Sequence, residues 1–465
     1  MKVLREKSKG VVFILRCKFK SGEAMLNIHN LIKFWARKNP KLIFHEVKNA
    51  KLLADPFCGS GSSGFSAILT GASGLLSDIN PVSVFIAYNV LNKETIKSEI
   101  IETMREVCLE IEDEVYTLSN LEKVNYAVWK DDEVISLKLT SERETRDKSL
   151  IKEYITMEEN LKIKFWYPEG KFVYPGTGIS FRDGPHRPIE IKDLFTKRNL
   201  YATSKLYSHI EKIWVKDRSQ GDLLKLVFIA SLANATKMMP HAKTSGPSWK
   251  LPRYWLPSLR EERNFCKAFL RRLLLLHSFK KEWSAIASSY QITASFDSEI
   301  VTQQKRYIHI FRADALEIYS KLPKLDTIIL DPPHYDEINY FELTYLWQKW
   351  LEGSFSDARF NDYSYWSREI CVNRRTGKDL EWYNTKLCDV VSNYVNCLNK
   401  GGKVILILHN RDKHLLNETI KRIGECISGG FTLKTSYLSP KIPSSTQGLH
   451  GRKKYLCILK IIKAS

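Results

Sequence analysis

The sequence predicts an α/β layer fold built on a mainly parallel sheet. Two observations carry that expectation. Short apolar, β-branched runs alternate with helix-like stretches at both ends of the chain. The runs also lack the in–out alternation of a half-exposed sheet, as strands buried on both faces should. Alternating strands and helices of this kind build parallel sheets covered on each side.

In the first segment, 1–92, the strand-like runs are Lys51–Asp55 and Gly74–Asp78. The last segment, 306–465, returns to the same alternation with Ile308–Arg312, Thr327–Asp331 and Val404–His409. Between the last two runs, Leu387, Val390, Val391, Tyr394, Val395 and Leu398 recur at helical spacing, and Gly401-Gly402 supplies the stop. The middle, 93–305, reads as a large, mainly helical insertion, with boundaries good to about ten residues. It opens with a mixed-charge helix from Glu94 to about Leu118, followed by a polar stretch, Lys138–Lys152. An aromatic, Pro/Gly-rich passage (Trp166–Pro188) and helices at Leu206–Val215 and Leu223–Lys237 come next. A basic, aromatic loop and helix then span 241–282.

The 72 Lys and Arg outnumber the 52 Asp and Glu, a net charge of +20 that favours polyanionic partners. A solvated basic surface accounts for the same number without any partner. The nine cysteines include no Cys-x-x-Cys pair, so no zinc ribbon and no metal site is expected. Their scattered, odd set fits free thiols in a reducing cytosol. The early apolar run Gly10–Leu15 is too short for a signal segment, and Leu226–Thr236 falls far below bilayer-spanning length. A cytoplasmic protein without membrane partners is therefore expected.

Two strings carry the chemistry. Leu52, Leu53 and Ala54 form a strand ending at Asp55, after which Gly59, Gly61 and Gly64 match G-x-G-x-x-G. Glycine lets the backbone turn sharply and lets a ligand approach without meeting a Cβ. Alone, the pattern also suits dinucleotide and phosphate loops, or a plain turn. Asp78 ends the next strand, where an acid can accept from both hydroxyls of a ribose, and Ile79-Asn80-Pro81 can flank an adenine ring. The prefix Asp55-Pro56-Phe57 separates the candidates, because an acid beside the loop suits a cationic ligand better than a pyrophosphate. S-adenosylmethionine carries a sulfonium and no phosphate, so it is favoured over NAD.

The second string is Asp331-Pro332-Pro333-His334-Tyr335. Two prolines fix φ and donate no N–H, leaving their carbonyls as acceptors in a stiff bend. A carboxylate (Asp331) and a carbonyl (Pro332) accepting both N–H bonds of a base's exocyclic amine would draw its nitrogen toward sp³. Such a base must first leave the helix, and an aromatic at His334 or Tyr335 is placed by sequence to stack on it. A strand-ending turn is the bland alternative.

With both strings in hand, the chain resembles the amino-group DNA methyltransferases, which methylate adenine N6 or cytosine N4. DPFCGSGSSG at 55–64 is similar to the cofactor motif of that family, and SDINP at 77–81 to its ribose-binding segment. RADAL at 312–316 resembles the segment whose acid, Asp314 here, holds the cofactor's adenine beside Ala315. DPPHY at 331–335 resembles the catalytic motif. NIHNLIKFWARKNPKL at 27–42 resembles a segment of one group of site-specific DNA methylases that holds the methionine end of the cofactor. That likeness implicates Phe34 and Trp35. DLFTKRN at 193–199, NYFELTYLWQKWL at 339–351 and GGKVILILHN at 401–410 resemble further parts of the same group.

The resemblance implies a Rossmann-like class I methyltransferase fold, a mostly parallel seven-stranded sheet with helices on both faces. It implies S-adenosyl-L-methionine as cofactor, S-adenosyl-L-homocysteine as product, and DNA as partner in a restriction-modification or defence setting. Asp at the head of the corner leans toward adenine, where Ser would lean toward cytosine N4. Carbon-5 methylation is disfavoured, since its thiolate usually follows proline and no Pro-Cys dipeptide occurs. Three departures stand out: His334 replaces the family's usual Tyr, the insert precedes the Asp314 segment, and cysteines for a zinc ribbon in the insert are lacking. An RNA guanine-amino methyltransferase and a non-catalytic nucleic-acid-binding relative remain alternatives.

From His241 to Trp283 stand ten Lys/Arg and three acids, with Trp249, Tyr254, Trp255 and Phe265 interleaved. Lys250, Arg253, Trp255, Arg271 and Arg272 are the expected nucleic-acid contacts, cations on phosphates and aromatics as wedges. A helix with a basic face and buried aromatics is the competing reading. Arg452 and Lys453, in the loop Lys441–Lys454, form a second expected contact, and a plain connection between strands accounts for that loop equally well. His409-Asn410 ends a strand at the ligand-facing edge, either shaping the base pocket or simply as a satisfied polar end.

Overall fold

The computed structural model describes residues 32, 34, 40–141, 144–171, 190–241, 254–302, 306–427, 429–438 and 455–464. In chain order the elements begin with α1 (Pro40–Val47), β1 (Leu52–Asp55), α2 (Ser62–Thr70), β2 (Ser73–Asp78) and α3 (Pro81–Leu91). There follow α4 (Ser98–Val115), β3 (Val124–Lys130), β4 (Glu133–Leu139), β5 (Glu144–Thr145) and α5 (Lys148–Asn160). Next come α6 (Lys197–Lys216), α7 (Arg218–Leu232), β6 (Leu259–Arg263), α8 (Phe265–Ile286) and β7 (Gln291–Ser295). The chain continues through β8 (Tyr307–Arg312), α9 (Ala315–Ile318), β9 (Leu325–Leu330), α10 (Tyr340–Glu352) and α11 (Leu380–Val395). It closes with β10 (Leu398–Asn410), α12 (Lys413–Cys426), β11 (Phe431–Leu438) and β12 (Tyr455–Lys463).

The main sheet has the order β11-β12-β10-β9-β1-β2-β8-β7. Only β12 runs against its neighbours, so the sheet is mostly parallel and the fold Rossmann-like. Alternate residues of β10 enter opposite layers: Ile405 and Ile407 pack on one face, Val404, Leu406 and Leu408 on the other. That is why the runs looked uniformly apolar in sequence.

Eight strands stand where seven were expected. The extra one, β7, lies within 93–305 and extends the sheet beside β8. Its sequence, QITAS, is half-buried at an edge and too polar to read as a buried strand. The segment 93–305 is also less purely helical than expected, because β5, β4, β3 and β6 form a second, antiparallel sheet. The polar stretch at Lys138–Lys152 contains the end of β4, β5 and the start of α5. Helix α6 starts nine positions before the expected Leu206, at the Thr196 cap whose hydroxyl accepts from the Asn199 N–H at 3.2 Å. Its first turn hides a fully buried Arg198, which donates to the Val115 and Tyr154 carbonyls.

The 93–305 segment is fastened at two places. Lys280 on α8 is buried, and burial pushes its ammonium well below the ordinary lysine range. It donates to the Asn92 carbonyl at 2.7 Å, while Trp283 Nε1 donates to the Leu91 carbonyl at 2.7 Å. On the other side Arg359 bonds Asp222 of α7 through two nitrogens, at 2.6 and 2.8 Å, and also grips Asp357.

Helices α6 and α7 pack so closely that a Cβ at Gly221 would overlap the backbone of Trp214. Backbone cannot move aside as a side-chain end can. Gly221→Ala is expected to destabilise the protein by about 1–3 kcal/mol, read as a lower thermal unfolding midpoint. An unchanged midpoint would contradict this packing.

Candidate functional site

The neighbours β1 and β9 pair in parallel, Leu53 with Thr327 and Ala54 with Ile328. Their C-terminal ends open side by side at the point where strand order reverses, the crevice that open α/β sheets use for ligands. The loops leaving them face one cleft of about 760 Å³, part of it open to solvent. Pro56, Phe57 and Gly59 line it from the first loop, Asp331 and Pro333 from the second. Asp78, Ile79 and Asn80 join them after β2, and Asp314 and Ala315 after β8.

The glycine loop is braced by carboxylates. Asp55 is fully buried and turns back on its own loop, accepting from the Phe57 N–H at 3.0 Å and the Ser63 hydroxyl at 2.5 Å. It does not line the cleft, so the expected direct contact gives way to a bracing position. Gly61 has φ +84° at the head of α2, and a Cβ there would stand 3.2 Å from the Ala87 Cα. It serves the turn and the approach of α3, behind the cleft wall. Asp78 clamps both sides of its strand end, accepting from the Gly59 N–H at 3.0 Å and the Asn80 N–H at 2.9 Å. Asn80 caps α3 by accepting from the Val82 N–H at 2.9 Å and donates to Thr344 Oγ1 at 2.9 Å.

The opposite wall was only partly foreseen. Phe34 stacks on Tyr340, ring centroids 5.5 Å apart. Trp35 lies outside the described residues. Asp314 caps α9, accepting from the Leu316 N–H at 2.9 Å. Burial pushes its carboxyl up, and Arg368, 3.6 Å from Oδ2, opposes that shift. Glu369 is buried beneath, accepting from the Tyr340 N–H at 2.6 Å, and burial pushes its carboxyl to about 7. Tyr340, Tyr365, Arg368, Glu369 and Ile370 line the cleft without having been singled out. Tyr340 sat within the 339–351 string just after the corner, a usable signal. The others come from an irregular loop with no periodicity to read.

At the corner the sequence expectation needs correction. Tyr335 takes φ +51° and turns into the core, where its hydroxyl donates to Thr419 at 2.9 Å and its ring packs on Tyr383. His334 is also buried and absent from the cleft lining, with Nε2 3.3 Å from Asp331 Oδ1. Neither ring faces the cleft, so neither supplies the expected stacking platform. Pro332 is buried behind the lining, and the Pro333 carbonyl accepts from the Tyr383 hydroxyl at 2.9 Å.

Lys250, Arg253, Arg452 and Lys453 fall outside the described residues. Of the rest, Arg271 is exposed, while Arg272 and Trp255 are half-buried. Much of the basic stretch turns inward. Arg260 is buried 3.6 Å from Asp132, Arg263 pairs with Glu261 at 2.7 Å, and Lys267 donates to Asn125. Tyr254 and Phe265 are core residues, against the expectation of exposed wedges. Here the reading of α8 as a helix with buried aromatics prevails, because its apolar side has α4 and α7 to cover it.

No protein-family model matches the chain, and no curated protein matches it. Among solved structures, precorrin-6y C5,15-methyltransferase from Geobacter metallireducens GS-15 is similar at 10% identity over 34% of this chain, with a TM-score of 0.17. The match covers about half, 54%, of that protein. A likeness so slight bears on neither activity nor substrate, and the α/β assignment rests on the strand order.

The buried Glu369 gives a pH dependence with a definite sign. Its folded carboxyl titrates near 7, above the ordinary 4.5, so it binds a proton more readily folded than unfolded. Its contribution is full below about 4.5 and fades as pH rises through 7. Glu369→Gln is expected to reduce the loss of stability between pH 5 and 8 by roughly 3 kcal/mol, measured by urea unfolding. An identical pH dependence in both proteins would contradict it.

Proposed function

We propose that this cleft binds S-adenosylmethionine and directs its methyl group onto an exocyclic amino group of a nucleic-acid base, adenine N6 of DNA first. One observation carries the reading: the glycine loop with Asp78 and the Asp331 corner, distant in sequence, line the same cleft. The lining chemistry fits this cofactor. Among the described residues the cleft is lined by Asp78, Asp314, Asp331 and Glu369, the last with its carboxyl pushed up to about 7, and by one guanidinium, Arg368. That balance suits a sulfonium and repels the pyrophosphate of a dinucleotide.

In this reading Asp78, at the cleft-facing end of β2, accepts from the ribose hydroxyls. Asp314 receives the adenine amine, between Ile79 and the Phe34 side of the cleft. The bound cofactor supplies an electrophilic methyl group. Asp331 accepts an N–H bond of the target amine and holds its lone pair on line, so that positioning and electrostatics supply the rate. The strongly basic chain, with Arg271 and Lys281 exposed on α8, favours a polyanion as the carrier of that amine.

Incubation with radiolabelled S-adenosylmethionine and genomic DNA or total RNA, followed by nucleoside identification, tests the assignment. N6-methyladenine in DNA is expected. N4-methylcytosine would move the target, methylguanine in RNA would change the substrate, and binding without transfer would leave a non-catalytic relative. Asp331→Ala is expected to lower transfer by at least about 100-fold with cofactor affinity retained; undiminished turnover would remove the amine clamp. Asp78→Ala should weaken calorimetric cofactor affinity by about 10-fold or more, and equal affinity would contradict the ribose contact.

A further inference from the structure

From Asp331 at the corner runs a row of four titratable side chains, three of which the proposed reaction has not used. His334 Nε2 lies 3.3 Å from Asp331 Oδ1, the His334 and His409 ring centroids are 3.4 Å apart, and His409 Nδ1 is 3.3 Å from Glu337 Oε2. Side-chain exposure runs 6%, 5%, 12% and 22% from Asp331 through His334 and His409 to Glu337. The row thus leads from the cleft floor outward. Only Asp331 among the four lines the cleft.

We infer that His334 is a positioning residue that acts through Asp331, taking up the proton released when the target amine is methylated. This rests on the methyl-transfer reading above. In that step the amine lone pair forms the N–C bond, and the C–S bond breaks with its electron pair passing to sulfur. The nitrogen is left cationic with two protons and must lose one. Asp331 receives it, and His334 Nε2 takes it from the carboxyl, restoring the carboxylate that the next turnover needs. Nε2 of His334, 3.3 Å from Asp331 Oδ1, is the imidazole nitrogen within reach of that proton. A phenol at position 334 has no comparable basic lone pair, so this chain's histidine adds a capacity that the resembled motif lacks.

The surroundings permit one charge at a time. Two imidazoles this close cannot both be cationic without strong repulsion, while the carboxylates of Asp331 and Glu337 bracket the pair. On the cleft side, burial and then Asp331, Asp78, Glu369 and Glu337 raise the Tyr340 hydroxyl, which stays neutral. Asp336 and Arg411 lie exposed on the flanking turns.

The test uses the full chain. In the unliganded protein, ¹⁵N NMR of labelled histidines should show the His334 titration midpoint falling in Asp331→Asn; an unmoved midpoint overturns the coupling. With radiolabelled S-adenosylmethionine and genomic DNA, the wild-type kcat should rise with pH through a limb in the histidine range. His334→Gln should lose that limb and about 100-fold in kcat, with calorimetric cofactor affinity within twofold. Glu337→Gln, at a more exposed site, should move the limb to lower pH, and it decides the matter should His334→Gln fail to fold. Wild-type transfer with an unaltered limb in both variants overturns the proton row alone. No wild-type transfer to DNA or RNA overturns the parent reading together with it.

Discussion

The parallel pairing of β1 with β9 is the contact on which the rest of this molecule depends. It joins residues separated by the whole 93–305 segment and more, and it sets the glycine loop and the Asp-Pro-Pro corner at one end of the sheet. Closing so long an interval is entropically tolerable because the cost grows only logarithmically with length. The insert also brings its own ends together. Lys280 and Trp283, near the end of α8, hold the carbonyls of Leu91 and Asn92 where the chain leaves α3. The polypeptide departs from the sheet and returns to it at nearly the same place. The 93–305 segment can therefore carry its own second sheet without shifting the strand ends that shape the cleft.

Carboxylates do three different jobs within that frame, and burial with hydrogen bonding decides which. Asp55 is wholly internal and braces its own loop through the Phe57 N–H and the Ser63 hydroxyl. Asp78 lines the cleft and ties two backbone N–H groups, those of Gly59 and Asn80, to its strand end. Glu369 is sealed under Tyr340 and holds its proton near neutrality. One residue type in one neighbourhood yields a brace, a clamp and a titrating group. Sequence spacing cannot separate these roles, because it records the acid and leaves out its solvent.

That limit explains which features were legible. The buried strands and the two loops announced themselves, because a strand covered on both faces must be uniformly apolar and a sharp ligand loop must contain glycine. Asp78, Asp314 and Asp331 were readable as acids at strand ends, and all three line the cleft. Edge strand β7 and the insert's small sheet were not, since their half-exposed residues mix polar and apolar types. Tyr335 was misread for a different reason: a positive φ at a non-glycine residue reverses where a side chain points, and nothing in DPPHY signals it. The basic run over 241–282 misled through counting. Charge totals treat Lys280 and Arg271 alike, although one is entombed and the other exposed.

On the methyl-transfer reading, the charge distribution becomes a division of labour. A net +20 would draw a polyanion from a distance, within a range that salt screens to about 8 Å. Among the described residues the cleft is lined by Asp78, Asp314 and Asp331 with Arg368, a balance that would disfavour the phosphates such a surface would attract. A nucleic acid then gains nothing by sliding its backbone into the cofactor site. What can enter is a neutral base turned out of its stack, with amine hydrogens to offer the carboxylates waiting there. Attraction outside and repulsion inside select one presentation of the substrate, before any contact reads its sequence.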